Sequence, residues 1–214
     1  MMRYLFCNVG WMARYQGLTQ EDAIRGGGSF VDELAQGGEV CNFAAVDEML
    51  YGYVKPPGEQ IRIEKLGASR EAESVNGVTV VWTALHPEGG TVIVGWYRNA
   101  RVYRRFQTFR QAPELHRRSG VKGYWVSAAE ADGYLLPESR RRKEVPRGER
   151  GGMGQANIWY GDTPGADRLI RSIEVFLGDV ESTGVRESLR VRVDKADPPP
   201  EEPPPRRRRI QVRR

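Results

Sequence analysis

Gly77-Val78-Thr79-Val80-Val81-Trp82-Thr83-Ala84-Leu85 and Gly90-Thr91-Val92-Ile93-Val94-Gly95-Trp96-Tyr97 flank the turn sequence Pro87-Glu88-Gly89-Gly90. β-branched and aromatic side chains pack well on a pleated surface, and a Pro/Gly tetrapeptide between two such runs closes a hairpin. Both runs are almost continuously apolar, which places this hairpin through the centre of the core. Val102-Tyr103-Arg104-Arg105-Phe106 is expected to add another strand beyond it.

Upstream, Tyr4 to Val9 reads as a buried strand ending at Gly10. Trp11 to Tyr15 follows as a loop or short helix, and a helix would set Trp11 and Tyr15 on one face. Gly26-Gly27-Gly28-Ser29 predicts a flexible loop, and Glu39 to Ala44 and Met49 to Val54 predict two strands. The alternation in Ile61 to Leu66 suits a strand with one wet face. Downstream, Ser127 with Glu130 resembles a capping box opening a helix that Pro137 would stop. The spacing of Ala166, Leu169, Ile170, Ile173 and Phe176 or Leu177 predicts an amphipathic helix, with Gly178 just past its end. The fold class expected is α+β. Residues 1–180 would form one domain, and the Pro/Arg-rich 181–214 a disordered linker or tail.

With 214 residues and 39% hydrophobic composition, the chain can bury one good core. No apolar run of about 18 residues and no signal-peptide core is present, so a cytoplasmic protein is expected. Cys7 and Cys41 sit in apolar stretches and read as reduced core residues. His86 and His116 have no ligand spacing to a cysteine or to each other, so neither a Cys/His zinc site nor any cofactor is expected. Catalysis is not expected either: there is no nucleophile elbow, and the carboxylates Asp47, Glu48 and Glu64 read as turn or surface groups. The net charge of +5 is unevenly spread. Residues 1–97 hold 7 basic and 12 acidic side chains, residues 98–150 hold 14 and 6, so a polyanion would meet the middle of the chain.

Two segments could carry recognition. Gly95 to Arg105 interleaves Trp96, Tyr97 and Tyr103 with Arg98, Arg101, Arg104 and Arg105 at a strand end. Guanidinium groups suit phosphates, and an exposed ring stacks on a base for about 1–3 kcal/mol. Arg140 to Lys143 and Arg147 to Asn157 form a second basic stretch, in which glycines allow close backbone approach and Gln155 and Asn157 offer the paired donor and acceptor that read a base edge. No Walker or dinucleotide fingerprint is present.

Taken together, Tyr4 to Met12, Glu39 to Phe43, Tyr51 to Val54, Val92 to Ala100 and Gly151 to Tyr160 resemble the N-terminal recognition region of bacterial modification-dependent restriction endonucleases, whose strand order is that of the PUA-like superfamily (EVE, YTH and ASCH domains). The resemblance covers about residues 3–178. It implies a small, partly open mixed β-barrel with flanking helices that holds a flipped modified base in an aromatic cage. Asn8, Trp11 and residues Trp96 to Asn99 would supply the pocket, with the Gly152 to Asn157 loop closing over it. The lysine-serine signature of the RNA-methyladenine readers is absent.

The function expected is a specificity module for modified double-stranded DNA, with 5-methylcytosine or 5-hydroxymethylcytosine extruded into the pocket. Trp11, Tyr15, Trp96 and Tyr97 would form the aromatic walls, and Asn8, Asn42, Asn99, Gln155 and Asn157 would inspect the base. Arg101, Arg104 and Arg147 would hold phosphates. The Pro/Arg segment is expected to lead into an effector nuclease domain. An RNA-binding module for transfer or ribosomal RNA and a metal-dependent nuclease are the alternatives from other classes.

Overall fold

A computed structural model of the chain describes residues 3–24, 38–148 and 151–191. The hairpin forms from β3 (Ser74–Leu85) and β4 (Thr91–Thr108), counting strands in chain order after β1 (Arg3–Val9) and β2 (Met49–Gly52). Its register pairs Val81 with Trp96, Trp82 with Gly95 and Leu85 with Thr91. The two strands read separately at 91–97 and 102–106 are one continuous β4. It passes through an irregularity at Asn99, whose φ of 47° is a left-handed conformation that asparagine tolerates better than most residues. This lets one strand serve two neighbourhoods. Its first half pairs with β6 (Gly133–Leu135) and its second with β5 (Gly123–Ala129).

Among the described residues seven strands make one mixed, unclosed sheet, ordered β2-β5-β4-β3-β1-β7 with β6 branching from β4; β7 is Ile158–Trp159. β1 runs parallel to β3 and pairs with β7 along its other edge, and both its faces are buried from Tyr4 to Cys7, which is why that stretch is apolar. Strand alternation separates two cores. Leu5, Cys7, Trp82, Val94 and Tyr97 fill one; Tyr4, Phe6, Val81, Ile93 and Trp96 fill the other. The second core is closed by α2 (Ala166–Thr183), through Ile173 and Leu177, whereas α1 is a short helix at Glu114–Arg118.

Several local expectations gave way to tertiary contacts. Residues 61–66 are not a strand: Ile63–Leu66 is a 3-10 turn, a geometry that buries Ile63 and Leu66 together at a three-residue spacing. The stretch at 39–44 likewise begins as a 3-10 turn, Gly38–Cys41. The capping box at Ser127 is overridden because Ser127 pairs with Tyr51 on one side and Arg101 on the other, extending β5 to Ala129; only Glu130–Asp132 turns. No helix forms at Trp11 to Tyr15.

α2 does not stop before Gly178. The residue in the left-handed conformation that ends it is Gly184 (φ 67°). The additional turn is held by Glu181, which accepts hydrogen bonds from Trp96 Nε1 (2.7 Å) and Arg98 Nε (2.7 Å). Packing also continues past 180. Ala45 donates to the Leu189 carbonyl (2.9 Å) and Glu187 to that of Leu135 (2.8 Å). The Gly26–Ser29 loop and the Pro/Arg segment from 192 lie outside the described residues. No helix among the described residues is long and apolar enough to cross a membrane.

Candidate nucleic-acid interface

Five of the expected site residues are core residues. Trp96 is fully buried, stacked on Tyr134 with centroids 5.2 Å apart. Tyr97 points to the opposite face and is also fully buried, its hydroxyl donating to the Asn42 carbonyl. Asn42 spends its side chain on the backbone of Tyr53, accepting from that amide (2.8 Å) and donating to that carbonyl (3.0 Å). Tyr15 is fully buried at a φ of 52°, its hydroxyl donating to the Gly10 carbonyl (2.8 Å). Trp11 is 4% exposed and packs edge-on against His86. Trp11, Trp96 and Tyr97 therefore do not converge on one concave surface. The aromatic strength that suggested a cage is spent on two cores, because alternation along β4 sends neighbouring rings to opposite sides.

Much of the central positive charge is also committed internally. Arg98 pairs with Glu181 (2.7 Å) and Glu174 (3.2 Å), and Arg104 with Glu64 (2.8 Å) while donating to the carbonyls of Ala72 and Ser69. Arg147 donates to the carbonyls of Gly154 (2.8 Å) and Ala156 (3.1 Å), so it shapes the glycine-rich loop from within. Asn99 is exposed, but its amide donates to Asp132 (3.1 Å). Arg101 is exposed, donates to Ser74 (2.9 Å) and lies 4.9 Å from the centre of the Tyr103 ring.

Asn8 and Asn157 do come together with structural support, and exposed Gln155 lies two residues before Asn157. The end of β1 and the approach to β7 are joined by Asn8 N donating to the Asn157 carbonyl (2.8 Å). The Asn8 side chain accepts from Thr83 (3.4 Å), and the Thr83 hydroxyl also reaches Met153 of the loop (3.7 Å). The Asn157 amide reaches the Lys55 carbonyl (3.4 Å). That contact crosses from the β7 edge of the sheet to the segment after β2, the other edge; it is a seam where no strand ladder closes the sheet. Gln155 and Asn157 are exposed there and Asn8 half-buried. Nearby, Glu39 is held by the Gly10 amide (3.5 Å), and burial raises its carboxyl pKa; half-buried Tyr53 feels the same carboxylate.

A second group of rings escaped sequence reasoning. Tyr51, Tyr103, Phe109 and Tyr124 are all half-buried, with Tyr51 to Tyr124 4.8 Å apart, Tyr51 to Phe109 5.1 Å, Phe109 to Tyr124 5.2 Å and Tyr103 to Tyr124 5.6 Å. They come from β2, β4, the turn after it and β5. Only the sheet order makes them neighbours, and the one available signal was a surplus of tyrosine over what the core needs.

His116 lies beneath them, fully buried, 5.2 Å from Phe109 and 5.9 Å from Tyr51. Neither imidazole nitrogen has a hydrogen-bond partner among the described residues, and burial pushes its pKa from the usual 6.5 down to about 4. Between those values the unfolded chain takes up a proton that the folded chain refuses. Stability should therefore be complete above about pH 6.5 and fall toward pH 4 by up to about 1.4 kcal/mol per pH unit. His116→Phe should remove that dependence. Urea unfolding at about pH 7 and about pH 5 checks this, and equal slopes in both proteins would contradict a neutral buried imidazole.

No cluster of three or more His, Cys, Asp or Glu that could hold a metal ion occurs among the described residues. Comparison with protein-family models, with curated proteins and with solved structures found no match to this chain.

Proposed function

We propose that this chain is a nucleic-acid-binding specificity module that reads a modified cytosine in duplex DNA at the seam between the two edges of its sheet. The observation that carries the reading is the backbone pairing of Asn8 with Asn157 at that seam, which sets two amide-bearing residues from segments more than 140 residues apart side by side, with exposed Gln155 two residues before Asn157. A primary amide offers a donor and an acceptor side by side, the pattern that pairs with a base edge. Glu39, at the β1 side of the same region, is a carboxylate able to accept from an exocyclic amine. In this reading the sheet is the partly open barrel of the PUA-like superfamily, the seam is its mouth, and the extruded base enters there. The aromatic walls named from sequence are replaced by half-buried Tyr53.

The test compares duplexes carrying 5-methylcytosine, 5-hydroxymethylcytosine or cytosine at one position, by fluorescence anisotropy at about 0.1 M salt. Wild type should prefer a modified duplex, and Asn8→Ala with Asn157→Ala should reduce that preference about tenfold, the value of one good base contact at about 1.4 kcal/mol. Equal affinity for all three duplexes sinks the reading. Tighter binding to structured RNA than to any of them would replace it with the RNA-binding alternative.

A further inference from the structure

We propose that the face built by β2, the second half of β4, α1 and β5 is a separate binding surface for single-stranded nucleic acid, with bases on Tyr51, Tyr103, Phe109 and Tyr124 and phosphates on Arg101, Arg105, Arg110 and Lys122.

The rings are contiguous, and each is partly open to solvent. Arg105, Arg110, Arg117 and Lys122 are exposed, and each lies one or two residues from Tyr103, Phe109, His116 or Tyr124. None of these four cations has an ion pair among the described residues, in contrast to Arg98 and Arg104. From 101 to 122 the chain holds seven basic residues and one acidic, Glu114, which is paired with Arg118. Exposed Asp47 and Glu48 are the opposing charges at the Tyr51 side.

The chemistry of this face selects among partners. Its cations suit a polyanion, and its flat rings suit unpaired bases, since each base stacked on an aromatic ring adds a sequence-tolerant gain. A duplex would use the cations alone, because its paired bases do not present their flat faces. A lipid surface fits poorly. The one strongly exposed apolar ring here is Phe106 (37%), and the other exposed large apolar residues, Leu18, Leu85, Val175 and Val185, are scattered along the chain. The tyrosines are held by packing on one another, and Tyr51 also on His116, which lowers the ordering cost at binding.

The experiment titrates the full chain with a short oligothymidine, a duplex of the same length and inorganic polyphosphate, at about 0.05 M and about 0.2 M salt. Arg105→Glu/Arg110→Glu/Lys122→Glu, all at exposed positions, should weaken oligothymidine binding at least about tenfold and flatten its salt dependence. On the wild-type chain, the ring-proton NMR signals of Tyr51, Tyr103 and Tyr124 should shift on adding oligothymidine and stay put with polyphosphate. This readout needs no ring variant to fold. Unchanged affinity in the charge-reversed protein overturns the proposal, and so do ring signals that remain fixed at saturation, which would leave a charge-only surface. The seam reading fails separately. Asn8→Ala/Asn157→Ala bears on discrimination between modified and unmodified duplex, while the charge reversal should leave that ratio unchanged and lower single-strand affinity.

Discussion

Arg141→Ala should cost about 3–5 kcal/mol of stability, among the largest losses available from a single charged residue in this protein. Arg141 is fully buried, and its guanidinium donates to three carbonyls: Leu136 (2.9 Å), Met12 (2.5 Å) and Ala13. It also lies 5.0 Å from the Trp11 ring centre and 5.9 Å from that of Tyr15. The fixed fork of donors ties the turn after β1 to the segment after β6. From the other side, Asp22 accepts from the amides of Ala13 (2.6 Å) and Arg14 (2.8 Å), so the turn is fastened twice. Alanine leaves the buried carbonyls of Leu136 and Met12 and the partly buried one of Ala13 unsatisfied, as well as a cavity. Lysine should recover only part of the loss, because a point charge cannot meet three acceptors in fork geometry. Urea unfolding followed by tryptophan fluorescence measures it. A loss under about 1 kcal/mol would mean that water satisfies those carbonyls and that the guanidinium is not the fastener.

Trp96→Ala should also cost about 3–5 kcal/mol, by vacating the second core. The indole packs against Tyr134 and Phe176 and donates to Glu181 at 2.7 Å. Trp96→Phe keeps most of the packing but leaves Glu181 to Arg98 alone. It should lose about 1–2 kcal/mol and leave nucleic-acid affinity unchanged. The two variants separate stability from recognition. If Trp96→Phe kept wild-type stability but abolished discrimination between modified and unmodified duplex, the ring would be a ligand contact and its burial between β4 and α2 incidental.

The hairpin was legible because its signal is local: β-branched and aromatic runs of strand length on either side of a Pro/Gly turn. The opposite orientation of Trp96 and Tyr97 was legible for the same reason, since the two-residue period belongs to the strand itself. What each ring meets is not local. Both faces of β4 are covered, one by the sheet's own interior and one by α2, and that coverage converted a presumed cage wall into packing. The end of α2 shows the same limit. Gly178 is a sound stop signal in isolation, but the Trp96 and Arg98 contacts to Glu181 outweigh the modest cost of one exposed glycine within a helix.

The α+β class, the central hairpin, the closing helix and the concentration of positive charge after residue 97 are all written in the amino-acid order. These follow from periodicity and composition, which are properties of neighbouring residues. Which charges remain for a partner depends on how the chain packs. Arg98, Arg104 and Arg141 are bound internally, whereas Arg105, Arg110 and Lys122 are exposed without an ion pair among the described residues. Only the sheet order brought Asn8 to Asn157, and Tyr51 to Phe109 and Tyr124, because pairing between distant segments is set by burial and strand register, which no local window contains.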